Sequence, residues 1–121
     1  MIGENNEQVK RRKIMSHEPK VSQAFMSFAK NAPEYQKIWM ETAQRLSEAS
    51  KLDKKTDELA YIAVLAALRL ESGIPFHVKQ AKMLGASRDE VISAVLIGLP
   101  AAGNVVIQSI PIAVQAYEEN D

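Results

Sequence analysis

The 121-residue sequence contains no cysteine. Disulfides, thiolate metal sites and any thiol redox cycle that the chain could run alone are therefore excluded. An excess of charge is missing too: Lys plus Arg and Asp plus Glu each total 15, so the net charge is zero with neutral histidines. No global field draws the protein to nucleic acid or to an anionic membrane, and neither is expected as a partner. The opening residues, MIGENNEQVKRRKIM, lack the apolar core of a secretory signal, and no uninterrupted apolar run of about 18 residues or more reads as a membrane span. A cytoplasmic protein is the expectation. No segment rich in Val, Ile or Thr alternates as a strand would, and no internal repeat is visible. Phosphate-binding glycine loops, dinucleotide fingerprints and nucleophile elbows are likewise missing. The two histidines, His17 and His77, are far apart, and no His or carboxylate cluster has ligand spacing, so neither a metal nor a cofactor is expected.

What is present reads as helix throughout. The length suits one domain, able to bury about two thirds of the surface its unfolded chain exposes. Residues 1–18 are polar, with Lys10, Arg11, Arg12 and Lys13 in a row, and read as an arm or surface helix; residues 19–121 read as a single helical domain. Val21, Phe25, Phe28 and Ala29 fall at helical intervals. Pro33 opens a second helix whose Tyr35, Ile38, Trp39, Ala43 and Leu46 form one apolar stripe, so both helices read as amphipathic covers. Asp53 is placed to cap a third helix running to about Leu70, and residues 59–68 within it carry no polar group except the Tyr61 hydroxyl. Ser72, Gly73 and Pro75 break the pattern before a short helix from about Pro75 to Leu84. Gly85 is a natural stop, and Ser87 with Glu90 matches the capping box that starts the next helix, ending near Leu99. Pro100 starts a last segment, in which Pro111 predicts a kink or break. The class is all-α, a bundle of five to seven helices. Residues 59–68, 91–99 and 105–114 offer more apolar surface than the two amphipathic helices can cover, which points to a homo-oligomer.

The stretch 70–85, LESGIPFHVKQAKMLG, holds the one histidine in an apolar setting. An imidazole there either transfers protons or hydrogen-bonds within the core, and residue chemistry alone leans to the second. Glu58, directly before the apolar run, is either a partly buried carboxylate suited to proton relay or an exposed first-turn glutamate favoured by the helix dipole. Arg69 and Lys79 flank the histidine in sequence and are candidates for binding an acidic substrate, or ordinary surface charges. Tyr61 and Ser72 are candidate hydrogen-bond partners by location alone. Periodicity does not bring Glu58 to His77: measured from a turn at Leu70, the glutamate lies about 18 Å back along its helix, and the histidine lies much nearer the turn.

Two stretches, LDKKTDELAYIAVLAALRL and IPFHVKQAKMLGASRDEVISAVLIGLPAAG, resemble the carboxymuconolactone decarboxylase family, which includes the AhpD-like proteins. The resemblance covers about 52–119, with its most specific pattern, H-V-x-x-A-x-x-x-G-A-x-x-x-E, running from His77 to Glu90. It implies an all-α fold whose subunits interlock, commonly as trimers or hexamers, with the active site at the histidine. The redox branch reads C-x-x-C-x-x-x-H after an upstream glutamate. Carried onto this chain, the glutamate is Glu58, the histidine His77, and the cysteine positions are Leu70 and Gly73. A peroxidase needs an attacking thiolate and a resolving thiol, so peroxidase activity is not expected here. The decarboxylase branch resembles E-L-x-x-H-V, against which this chain has Gly73 in place of the glutamate. The resemblance thus implies a cofactor-free carboxy-lyase acting on a small acidic lactone, with His77 as proton donor and Glu58 as its partner. The alternative is a non-catalytic oligomeric member that binds a small ligand or a protein.

Overall fold

The computed structural model describes residues 22–119; the arm expected over 1–18, and His17 with it, lies outside them. The chain runs through α1 (Gln23–Asn31), α2 (Pro33–Ala49), α3 (Lys54–Ala67), a 3₁₀ turn (Glu71–Gly73), α4 (Ile74–Met83), α5 (Arg88–Leu96), the single turn α6 (Leu99–Ala102), a longer 3₁₀ run (Gly103–Ser109) and α7 (Ile110–Glu118). No strand occurs among the described residues, so the fold is all-α as the sequence implies.

The start signals operate through identifiable hydrogen bonds. The Asp53 carboxylate accepts from the Thr56 amide at 2.9 Å and from the Thr56 hydroxyl at 2.8 Å, satisfying an amide that the first turn of α3 leaves open. Ser87 and Glu90 exchange the two bonds of a capping box at 3.0 and 2.9 Å, and Lys55 ties Glu90 to the start of α3 at 2.9 Å. The Thr56 amide, then its hydroxyl, holds the Asp53 carboxyl below its usual range. A carboxyl lowered by folding stabilises above its unfolded pKa, and that contribution disappears as the pH falls through the lowered value. Asp53→Asn, which caps comparably but does not titrate, should therefore flatten the acid limb of stability against pH, as measured by urea unfolding across acidic buffers.

The core lies among α3, α4, α5, the Gly103–Ser109 run and α7. Ile62, Leu65 and Ala66 of α3 pack with Ile74, Val78 and Ala81 of α4, Val91, Ala94 and Val95 of α5, Val106, and Ala113 and Ala116 of α7. The end of α7 is tied to the α4–α5 region: Lys82 donates to the Tyr117 carbonyl at 2.7 Å, the Tyr117 hydroxyl donates to the Ala86 carbonyl at 2.8 Å, and Arg88 pairs with Glu118 at 2.9 Å. Cations at that end also suit the negative pole of the helix dipole.

Three features differ from the sequence expectation. The helix expected to reach Leu70 stops at Ala67, because the Arg69 amide donates to the Ala66 carbonyl and the Leu70 amide to the Leu65 carbonyl, with Arg69 at φ 58°. This pair of bonds is a Schellman stop built on an arginine where glycine is usual. The last helix is divided more heavily than Pro111 alone suggests. Gly103, at φ 74° and ψ −152°, ends α6 in a conformation suited to glycine, and Pro111 lies in the first turn of α7. Finally, α1 and α2 do not cover the core within one chain: they pack chiefly on each other and contain no buried residue. The apolar run of α3 is correspondingly open on one side, with Tyr61, Val64 and Leu68 all about half exposed or more.

Taken as one helical stretch, Arg88–Glu118 is long and apolar enough to cross a membrane, its most apolar 18 residues having a mean hydropathy of 1.8. It is not straight: α5 and α7 pack against each other, so the chain reverses at the Gly103 break. Within it Ser109 is fully buried and its hydroxyl has no hydrogen-bond partner. An orphaned buried hydroxyl costs on the order of 1–3 kcal/mol, so Ser109→Ala is expected to raise the urea midpoint, corresponding to about 1 kcal/mol of added stability.

Candidate active site

Helix α3 supplies Glu58 from its second turn and Tyr61 three residues on, so the two share one helix face. Helix α4 supplies His77 and, directly before it, Phe76. The loop between the helices decides their register. The Schellman stop reverses the chain at once, and by Gly73 it has returned to the level of Leu65: a Cβ on Gly73 would stand 3.4 Å from Leu65 Cδ1. From Leu65 back to Glu58 is about 10 Å of helix, and from Gly73 on to His77 about 6 Å, at about 1.5 Å per residue. Two side chains span the remainder.

The result is a hydrogen bond of 2.7 Å between His77 Nδ1 and Glu58 Oε2, with each side chain 25% exposed. The Tyr61 ring lies 4.4 Å from the imidazole, tilted by 54°, and the Phe76 ring meets it edge-on at 5.2 Å. With Glu58 ionised, Nδ1 carries the proton and Nε2 is the second, basic nitrogen of the ring. Protonation of Nε2 brings the pair from one negative charge to none. The same two residues can therefore accept a proton at Nε2 as a compensated ion pair and return it to leave the carboxylate hydrogen-bonded to Nδ1, which suits general acid–base chemistry.

The other candidates are placed differently. Arg69 is about half exposed and pairs with Glu71 at 3.6 Å, and Ser72 is exposed. Lys79, two residues beyond His77, is about 200° around α4; it is buried and stands 3.7 Å from Glu119. The structure thus gathers His77, Glu58 and Tyr61 and directs Lys79 away from them. Phe76, which directly precedes His77 in the sequence, also belongs to the group. An open apolar cleft of about 430 Å³ lies elsewhere, between α1 and α2, lined by Phe28, Tyr35, Ile38, Trp39 and Thr42. Among the described residues no group of three or more His, Asp or Glu side chains is arranged to hold a metal ion.

Gly73 is not demanded by the backbone, which is right-handed helical there (φ −87°, ψ −14°), and an added Cβ would meet ordinary van der Waals contact. The fold would accept a side chain at this position.

The sequence profile of the carboxymuconolactone decarboxylase family matches residues 33–115. The chain belongs to the carboxymuconolactone decarboxylase family. No curated protein matches it. Among solved structures it is similar to apo-lpg0406, a carboxymuconolactone decarboxylase family protein from Legionella pneumophila, with 27% identity and a TM-score of 0.68 over 78% of this chain and 85% of that one. Within the family this is a member without cysteine.

Proposed function

We propose that this family member is a cofactor-free carboxy-lyase acting on a small acidic lactone-type substrate, with His77 as proton donor. The observation that carries the reading is the 2.7 Å bond between His77 and Glu58, which commits Nδ1 and leaves Nε2 for chemistry. In such a reaction the bond to the departing carboxylate breaks, its electron pair passes into the conjugated lactone, and carbon dioxide leaves. The resulting enolate takes one proton on carbon. His77 in its imidazolium form supplies that proton from Nε2 and becomes neutral, Glu58 steadies the cation beforehand, and water restores the proton afterwards. Phe76 provides an apolar wall beside the imidazole, in which a carboxylate is held less firmly than in water and is lost more readily. Arg69, on the loop before α4, is the better placed of the two basic candidates for the substrate anion, since Lys79 lies across the helix.

The open face of α3 and the unburied α1–α2 hairpin are assigned to contacts with further copies of this chain, in a trimer or hexamer, in the cytoplasm. Light scattering at micromolar concentration should return a multiple of the 13.4 kDa chain mass; the single-chain mass would sink this assignment. Activity is tested by offering the purified protein carboxymuconolactone and, separately, a hydroperoxide with a dithiol. Turnover of the first alone supports the carboxy-lyase; saturable binding of the lactone without turnover would favour the non-catalytic alternative; peroxide reduction would overturn both.

A further inference from the structure

We infer that Tyr61 is a positioning residue that holds the plane of the His77 imidazole and so keeps Nδ1 in line with Glu58. This inference rests on the geometry of the pair and not on the choice of substrate. Rotation of the ring plane about its bond to Cβ would swing Nδ1 out of line with Glu58 and break the bond. What opposes that turn is one charge-assisted hydrogen bond, at a place where both partners are 25% exposed and water competes for each. At that exposure the bond alone is a weak lock.

The second restraint comes from the helix that carries the carboxylate. Tyr61 follows Glu58 by three residues, less than one turn of α3, so a single helix face presents a carboxylate to the ring nitrogen and an aromatic ring to the ring plane. At 4.4 Å between centroids, tilted by 54°, the tyrosine is in contact with the imidazole and resists its rotation out of the present plane. Phe76 adds a looser contact, edge-on at 5.2 Å, from the adjacent position of α4. Tyr61 itself is 48% exposed, more than a residue kept for core packing needs to be.

The role belongs to the ring and not to the hydroxyl, which separates it from substrate binding through the phenol. The test uses the full chain carrying His17→Asn, so that His77 is the one imidazole observed. Long-range proton–nitrogen correlation spectra then report which ring nitrogen is protonated. The parent protein is expected to show Nδ1 protonated and Nε2 bare at alkaline pH, and Tyr61→Phe should keep that signature. Tyr61→Leu, or Tyr61→Met if the leucine variant does not fold, should raise the population of the other tautomer severalfold. A leucine or methionine variant with the parent signature, or a phenylalanine variant that loses it, overturns the inference. Where the lactone is turned over, Tyr61→Leu should lower kcat about tenfold and move KM by less than about twofold, as expected for a misaimed proton donor. A rise in KM with kcat unchanged would make Tyr61 a substrate contact instead. The spectra need no substrate, so they decide the role of Tyr61 even if the carboxy-lyase reading fails.

Discussion

Replacing His77 by Ala should lower turnover of a carboxymuconolactone substrate by roughly 100-fold or more, the range lost with a general acid. The fold should survive, because His77 is partly exposed and its contacts are with Glu58, Tyr61 and Phe76 at the edge of the core. Glu58 is left without its partner but keeps access to water, so the cost of an unpaired buried charge is avoided. Glu58→Gln should cause a smaller loss: the amide can still accept from Nδ1, but the charge that steadies the imidazolium is gone. The pH dependence gives the sign of the chemistry. A donor works from the imidazolium, so kcat should fall as the pH is raised, whereas a proton-abstracting base would make it rise. A folded His77→Ala variant with near-normal turnover would retire the assignment.

The largest effect on stability is expected at Ile62. It is fully buried on the core side of α3, among Val78, Val91 and Val95. Ile62→Ala removes three carbons and leaves a cavity that close-packed neighbours fill only in part, at a cost of about 2–5 kcal/mol. For a domain of this size that corresponds to a melting temperature lower by at least about 10 °C, a large share of the total stability. Val64, on the open side of the same helix and 50% exposed, is the informative contrast. In an isolated chain Val64→Ala should cost well under the Ile62 figure. If further copies cover that face, its effect should grow and depend on protein concentration, because folding and assembly are then linked. Thermal melts at two concentrations separate the cases; loss of only a few tenths of a kcal/mol at Ile62 would contradict the packing described.

Much of the fold was legible because its signals are local. Asp53, the Ser87–Glu90 box and Gly85 act within one turn of themselves, and their hydrogen bonds are satisfied by residues three or four places away. The end of α3 was misjudged for the same reason in reverse. A Schellman stop normally advertises itself with glycine, and here an arginine takes the left-handed position, so nothing in residue type ends the helix before Leu70. That three-residue error displaced the turn and made Glu58 look too distant from His77. The α1–α2 stripe was read correctly as apolar, but a stripe does not say what it packs on, and within one chain the two helices pack chiefly on each other.

The sequence by itself determined the all-α class, the family, and the exclusion of thiol chemistry, since composition and short-range spacing suffice for each. Only the tertiary structure decided that Glu58 and Tyr61 meet His77 while Lys79 turns to Glu119. The physical reason is that a contact between residues 19 apart depends on where the intervening chain reverses. That point was set by two backbone hydrogen bonds and by the fit of Gly73 against Leu65, neither of which has a signature in residue type.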